Sequence, residues 1–86
     1  MPVVAIVASV AIRLYYADHE PAHFHAVLAE WEMLVRITDL SVMEGSLPMP
    51  QCRAVLAWAA QHQDALALAW IRCRQGQKPG RIEDEA

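Results

Sequence analysis

The sequence predicts a small α+β fold, in which an antiparallel sheet of about four strands is packed by a C-terminal helix or helix pair. Three observations predict it: the chain has only 86 residues, its first half alternates apolar and polar residues, and its second half changes to a helical period. A chain of this length forms one domain, residues 1–86. Strands are expected over about 3–45, the helical part over about 49–75 and a mostly exposed tail over 77–86.

The strands are predicted from short alternating runs that are joined by turns. Residues 3–7 are typical of a buried strand, and a turn or bulge follows at Ala8. In residues 10–16 and in the run that begins at His23, every second residue is apolar. Glu30-Trp31 can serve as a tight connection from that run to the next strand. A last short strand, residues 41–45, completes an antiparallel meander. The residues that the alternation directs toward the core include Val10, Ile12, Leu14, Tyr16, Phe24, Ala26, Leu28, Met33, Val35 and Ile37.

The second half of the chain is helical in pattern. Prolines suit the first turn of a helix, and Gly76 suits its end. Leu68 and Ile71 fall outside the main apolar stripe, which indicates either a break near residues 61–64 or a second apolar face that meets a partner. Asp64 can cap a second helix, so the break is favoured. The stripe itself comprises Cys52, Val55, Ala59, His62, Leu66, Trp70 and Cys73.

Composition and charge narrow the class of protein. Hydrophobic residues make up 56% of this short chain, so we expect its core to be completed by a small cognate protein or a homo-oligomer. The net charge of −3 creates no general basic field and does not indicate nucleic acid as a partner. Cys52 and Cys73 accompany no secretion signal, which predicts reduced thiols and a cytoplasmic location. The apolar N-terminal run is too short to span a bilayer, so no membrane partner is expected.

The segment ADHEPAHFHAVL, residues 17–28, holds three of the four histidines. In an extended strand, His23 and His25 project to the same side, with Cα atoms roughly 6.6 Å apart. Imidazoles at that spacing can share one metal ion, and Asp18 or His19 can supply a third ligand from the preceding loop. The cofactor implied by this set is a divalent metal such as zinc, held with one coordination position open.

Two other interpretations of the same segment remain open. Arg13 and Tyr15 share the non-core face with His23 and His25 if the two strands pair. A histidine acid/base and an arginine that stabilises phosphate are the equipment of a small metal-independent ribonuclease. The third interpretation, a polar scaffold, is favoured: Asp18 and the histidines bond within the loop and make it rigid. Whether the protein is an enzyme stays open.

The histidine segment also carries a family resemblance. Residues Asp18-His19-Glu20-Pro21-Ala22-His23-Phe24-His25-Ala26 resemble the pattern Asp-His-x-Pro-Pro-His-Phe-His-Ala of a widespread bacterial family of small proteins of unknown function. The chain departs from that pattern at Ala22, and it lacks the Lys-Ile-x-Pro-Leu ending of the family. Further similarities lie in Arg13-Leu14-Tyr15-Tyr16, in Glu44-Gly45-Ser46-Leu47-Pro48 and in the spacing of Trp58, His62, Leu66 and Trp70.

The resemblance implies a partner more clearly than a reaction. Members of that family often stand beside a second small bacterial protein in a two-gene arrangement similar to a toxin–antitoxin pair. The resemblance therefore implies a cytosolic protein-interaction or regulatory module that is one half of such a pair. Its working face would comprise Arg13, Tyr15, His19, His23 and His25. The alternative is a small histidine-based nuclease or metal-dependent hydrolase that uses the three histidines.

Overall fold

The computed structural model describes residues 2–82, and in this range five strands are followed by two helices. The sheet is antiparallel throughout, and its strands follow one another in chain order. The α+β class is therefore confirmed, with five strands rather than about four. The elements are β1 (Val3–Val7), β2 (Val10–Arg13), β3 (His23–Leu28), β4 (Trp31–Arg36), β5 (Val42–Ser46), α1 (Met49–Ala60) and α2 (Gln63–Arg74).

Tight turns set the register of the β1–β2 and β3–β4 hairpins. Ala8 and Ser9 connect β1 to β2, with φ angles of 50° and 69°. Two positive φ angles in a two-residue turn match the right-handed twist of the flanking strands. Ala29, with a φ of 52°, opens the corresponding turn between β3 and β4. The β3–β4 register that results pairs His25 with Leu34.

The two faces of the sheet differ in composition. The covered face, which packs with the helices into one core, carries Val10, Ile12, Phe24, Ala26, Met33 and Val35, all buried. The open face carries Ala11, Arg13, His25, Val27, Glu32 and Leu34, which are half-buried or exposed. The buried helical residues include Val55, Trp58 and Ala59 of α1 and Leu66, Ala69, Trp70 and Cys73 of α2.

Strand β2 is shorter than the alternating pattern predicts. Leu14, the first residue after β2, is still buried, as the alternation predicts. Its N–H donates to the Pro2 carbonyl. The Tyr16 side chain, however, is 43% exposed, so the prediction that it enters the core is wrong. The reason is local: Ala17 has a φ of 55°, and the turn at Tyr16–Ala17 ends the alternation.

The helical half is divided, as the break in the apolar stripe predicts. α1 ends at Ala60 and α2 begins at Gln63. The predicted capping residue is wrong, because His62 occupies the N-cap position and Asp64 lies in the first turn. There the carboxylate is still favourable, since the N-terminus of a helix carries partial positive charge. His62 Nδ1 donates to the Trp58 carbonyl at 2.8 Å, which links the two helices.

The segment after α2 returns to the sheet. The Ile82 N–H donates to the Val4 carbonyl at 2.7 Å, and both Pro79 and Ile82 are buried. Residues 77, 78, 80 and 81 are exposed. The rest of the tail, residues 83–86, lies outside the described residues.

Candidate functional site

The loop between β2 and β3 folds back so that Asp18 lies beside the start of β3. Pro21 follows a cis peptide bond from Glu20, and two residues later the chain enters β3 at His23. The His19 N–H donates to Asp18 Oδ1 at 2.9 Å, which holds the carboxylate in the loop. Loop and strand together place one carboxylate against two imidazoles.

The carboxylate of Asp18 lies between both imidazoles. Its Oδ2 is 3.0 Å from His23 Nε2 and 3.2 Å from His25 Nε2. The two ring centroids are 5.1 Å apart. One potential ligand atom from each of the three residues lies within 4.8 Å of the others. The Asp18, His23 and His25 side chains are 16%, 6% and 14% exposed, so solvent reaches only the rim of this cluster. We name these three residues the Asp-His-His cluster.

The outer nitrogens of both rings also have partners. His23 Nδ1 lies 2.7 Å from the Pro21 carbonyl oxygen, and His25 Nδ1 lies 2.9 Å from Glu32 Oε2. A carbonyl oxygen only accepts, so His23 carries a proton on Nδ1. Every imidazole nitrogen in the cluster therefore has an oxygen within hydrogen-bond distance.

Aromatic side chains hold the two imidazoles in orientation. The Tyr15 ring meets His25 edge-on, with centroids 4.2 Å apart. The Trp70 ring of α2 lies 5.2 Å from His23. This contact and the Asp18 loop explain why His23 is buried although strand alternation places it on the non-core face.

The cluster favours the ionised form of Asp18. Partial burial would raise its pKa, but the hydrogen bonds from His25 and the His19 N–H, together with the charges of His23 and His25, outweigh burial. The net effect is a pKa below the usual 3.8. Asp18 is therefore a carboxylate at neutral pH, available as an acceptor or as an anionic ligand.

The structure brings together three of the four residues that were predicted as metal ligands. Asp18, His23 and His25 converge, whereas the exposed His19 is not in the group. His19 instead contributes its backbone N–H to the carboxylate.

The residues predicted for metal-free catalysis also lie near one another. Arg13 is the cross-strand partner of His25 on β2 and β3, and Tyr15 contacts the His25 ring. His23 lies next to His25 through the ring contact described above. Arg13, Tyr15 and His23 are thus grouped around His25, whereas His19 meets this group only through its backbone N–H to Asp18.

Glu32 is a carboxylate of the site that the sequence pattern did not indicate. Glu32 pairs with Val27 across the β3–β4 hairpin. Val27 is two residues after His25 on β3, so Glu32 and His25 lie on the same, open face of the sheet. A prediction of the Ala29–Glu30 turn would have given this register, because a two-residue turn determines which residues oppose each other. The predicted connection, placed at Glu30–Trp31, was one residue too late.

An open groove adjoins the cluster on the side of α2. It has a volume of about 460 Å³ and shares Trp70 with the wall of the cluster. At its rim, Arg74 Nη1 contacts Glu20 Oε2 at 3.1 Å. Its lining comprises Glu20, Ala22, Ile37, Thr38, Ala67, Trp70, Ile71, Arg74 and Gln75.

The chemistry open to the cluster follows from its groups. Two imidazoles and a carboxylate can transfer protons, or they can ligate a cation through two nitrogens and one oxygen. None of the three is a nucleophile of the serine or cysteine type, so this cluster does not indicate acyl transfer.

Comparison with known protein families identifies the chain. A family described as Domain of unknown function (DUF4160) matches residues 10–71. The chain belongs to this family. The matched DUF4160 region begins with β2, contains the whole Asp-His-His cluster and ends within α2, at Ile71. Neither the curated proteins nor the solved structures include a match to the chain.

Neither α1 nor α2, each of 12 residues, has the length and apolar character that a membrane crossing requires.

Proposed function

We propose that this DUF4160 chain is a cytoplasmic bacterial protein-interaction module that forms one half of a toxin–antitoxin-like regulatory pair. The observation that carries the proposal is the outward apolar face of α2. Leu68 and Ile71 are 47% and 51% exposed, one helical turn apart, while the opposite side of the same helix is buried in the core. Exposed apolar side chains that cluster in this way are typical of protein interfaces.

The groove beside α2 adjoins this exposed apolar face and extends it. Ile71 belongs both to the exposed face and to the groove lining, so the two form one surface. Two cations, Arg72 and Arg74, lie in the last turn of the same helix, where Arg74 also contacts Glu20 at the groove rim. A fitting partner is a small protein segment that places apolar side chains in the groove and acidic side chains next to these cations.

The test is co-expression of the untagged chain with the small protein encoded beside its gene. The expected result is a complex that co-purifies and that Ile71→Asp weakens about tenfold or more, the size of a moderate interface contact. Met49→Asp is the matched control, since it also replaces an exposed apolar helical residue by aspartate, away from this face. The control should bind as the unchanged chain does.

Two results would contradict the proposal. One is the absence of a complex between the two folded proteins. The other is a homodimer that buries this face and is lost in Ile71→Asp, because self-association would then account for the exposed residues.

A second candidate function is a small histidine-based nuclease or metal-dependent hydrolase. The observation that favours it is the grouping of Arg13, Tyr15 and His25, in which the Tyr15 and His25 rings are in contact and Arg13 lies opposite His25. Histidine would act as acid/base and arginine would stabilise the developing negative charge on phosphate.

The nuclease test uses single-stranded RNA and the purified chain. Loss of cleavage in His25→Ala and in Arg13→Ala, with retention in His62→Gln, is the expected pattern for catalysis at this site. His62 lies at the helix break, where it stacks on Trp58, and therefore serves as a remote histidine control. Absence of cleavage by the unchanged chain, with and without added zinc, would dismiss this candidate.

A further inference from the structure

We infer that Asp18, His23 and His25 bind one divalent transition-metal ion of the zinc type. The inference stands on the contacts of these side chains and does not depend on what docks at α2. The ligand atoms would be Asp18 Oδ2 and the Nε2 atoms of both histidines.

The distances from Asp18 Oδ2 to the two Nε2 atoms are close to those between two ligands of one metal ion. Zinc lies about 2.0–2.2 Å from nitrogen and oxygen ligands, so ligand atoms around a tetrahedral ion are roughly 3.3–3.6 Å apart. Asp18 Oδ2 lies 3.0 Å from His23 Nε2 and 3.2 Å from His25 Nε2. An outward movement of a few tenths of an ångström would match the spacing required between oxygen and nitrogen.

The hydrogen-bond pattern of His23 leaves its Nε2 as the nitrogen that can ligate a metal ion. Its Nδ1 carries a proton because it donates to the Pro21 carbonyl. In the neutral imidazole, Nε2 then bears a lone pair, and this lone pair points at the Asp18 carboxylate, which also only accepts. A cation removes the conflict, either a proton that makes the ring an imidazolium or a metal ion that takes the same Nε2 lone pair.

His25 shows the same arrangement with a different outer partner. Its Nδ1 faces Glu32 Oε2 at 2.9 Å and its Nε2 faces Asp18. A histidine that ligates a metal usually donates its other ring N–H to a carboxylate or a backbone carbonyl. Glu32 supplies the carboxylate for His25, and Pro21 supplies the carbonyl for His23. Both kinds of outer partner are therefore in place.

The donor set selects the class of metal. Imidazole nitrogens suit zinc, iron, nickel and copper, whereas magnesium and calcium prefer oxygen ligands alone. Two histidines and one carboxylate leave at least one coordination position for water or a substrate, as in catalytic rather than structural sites. The edge-on contact of Tyr15 with His25 holds that ligand ring in its orientation.

Cobalt(II) and zinc(II) are the probes that test the inference. The untagged chain is stripped with a chelator and titrated with cobalt(II) while visible absorption is recorded, and zinc binding is measured by calorimetry. We expect one equivalent of each ion to bind, with cobalt absorption that zinc abolishes by displacement. A folded chain that produces neither heat with zinc nor absorption with cobalt would overturn the inference.

Three variants locate the site. Glu32→Gln should weaken zinc binding about 10–100-fold, the usual effect of an outer-shell change, and His25→Gln should weaken it further. His62→Gln, which changes a histidine outside the cluster, should bind zinc as the unchanged chain does. Circular dichroism checks that each variant is folded.

Glu32→Gln keeps the test decisive if His25→Gln fails to fold, because the Glu32 side chain is about half exposed. Unchanged zinc affinity in folded Glu32→Gln, or in folded His25→Gln, would place the ion elsewhere and refute the proposed site. Because these readouts involve no partner protein, their outcome is separate from that of the co-purification experiment.

Discussion

The covered face and the open face of the sheet use the same strands for different purposes. On β3, Phe24 and Ala26 are fully buried, while His25, between them in sequence, lies at the centre of the polar cluster. Successive side chains of a strand point to opposite faces, so packing and chemistry alternate residue by residue. The comparison teaches that a very short chain can keep an apolar core and a polar site without a separate domain for each.

The strongest test of this comparison is to truncate one side chain on the covered face of β3 and one on its open face. Phe24→Ala should reduce the free energy of unfolding by about 3–5 kcal/mol, because a large buried side chain leaves a cavity. Val27→Ala, on the open face, should cost about 1 kcal/mol or less. Urea denaturation followed by circular dichroism measures both. Equal losses would mean that the open face is also covered in solution.

The same comparison extends to α2, where Leu66 is buried and Leu68 is exposed. Leu66→Ala should cost about 2–5 kcal/mol and Leu68→Ala about 0.5 kcal/mol, since only the first creates a cavity. Thermal and urea unfolding of the isolated chain test the pair. A large loss in Leu68→Ala would show that this side chain is buried by self-association.

Strand β5, at the edge of the sheet, contains a position that only glycine fits, Gly45. Its φ is +76°, and a Cβ there would collide with the Glu32 carbonyl oxygen of β4. Gly45→Ala therefore strains the pairing of β5 with β4. We expect a loss of about 1–3 kcal/mol in unfolding free energy, the usual range for a strained backbone position. Ser46→Ala, the next residue on the same exposed strand, should change it by about 0.5 kcal/mol at most. Similar stabilities for the two variants would contradict this account.

The smallest expected effect concerns Asp39, in the turn between β4 and β5. Hydrogen bonds from the Ser41 hydroxyl and N–H hold the pKa of this carboxyl below its usual 3.8. Its contribution to stability is therefore present above that pH and is lost as the pH falls through the lower, folded-state pKa. NMR titration should show a higher Asp39 pKa in Ser41→Ala. An unchanged pKa would mean that the hydroxyl has no influence on this carboxyl.

Much of the fold was predictable because buried positions recur with the period of a strand or a helix in the sequence. Alternation located the strands. A break between α1 and α2 was expected from the position of Leu68 and Ile71 outside the helical stripe, and the break is present, but both residues remain exposed, as the alternative of a second apolar face predicted. The end of β2 was not predictable in this way. Tyr16 fits the alternation, yet the backbone turns at Ala17, and a left-handed φ at alanine leaves no signal in the pattern of hydrophobic residues.

The sequence predicted which types of residue form the candidate site. It predicted only some of the individual residues. Asp18, His23 and His25 are close in sequence, so a loop and a strand suffice to bring them together. Glu32 depends on the hairpin register, and Trp70 reaches His23 from a helix more than forty residues later in the chain. His19, the exposed neighbour of Asp18, could not be separated from the true members of the cluster by spacing alone.

The sequence by itself determined the α+β class, the buried face of each principal strand and the identity of the polar segment, because these follow from local periodicity and composition. Tertiary structure alone decided which atoms meet. It placed Asp18 Oδ2 between two imidazoles, supplied Glu32 and Pro21 as outer partners and left Leu68 and Ile71 on the surface of α2. The physical reason is that a contact between side chains requires distances of a few ångströms, which depend on turn register and helix packing rather than on residue type.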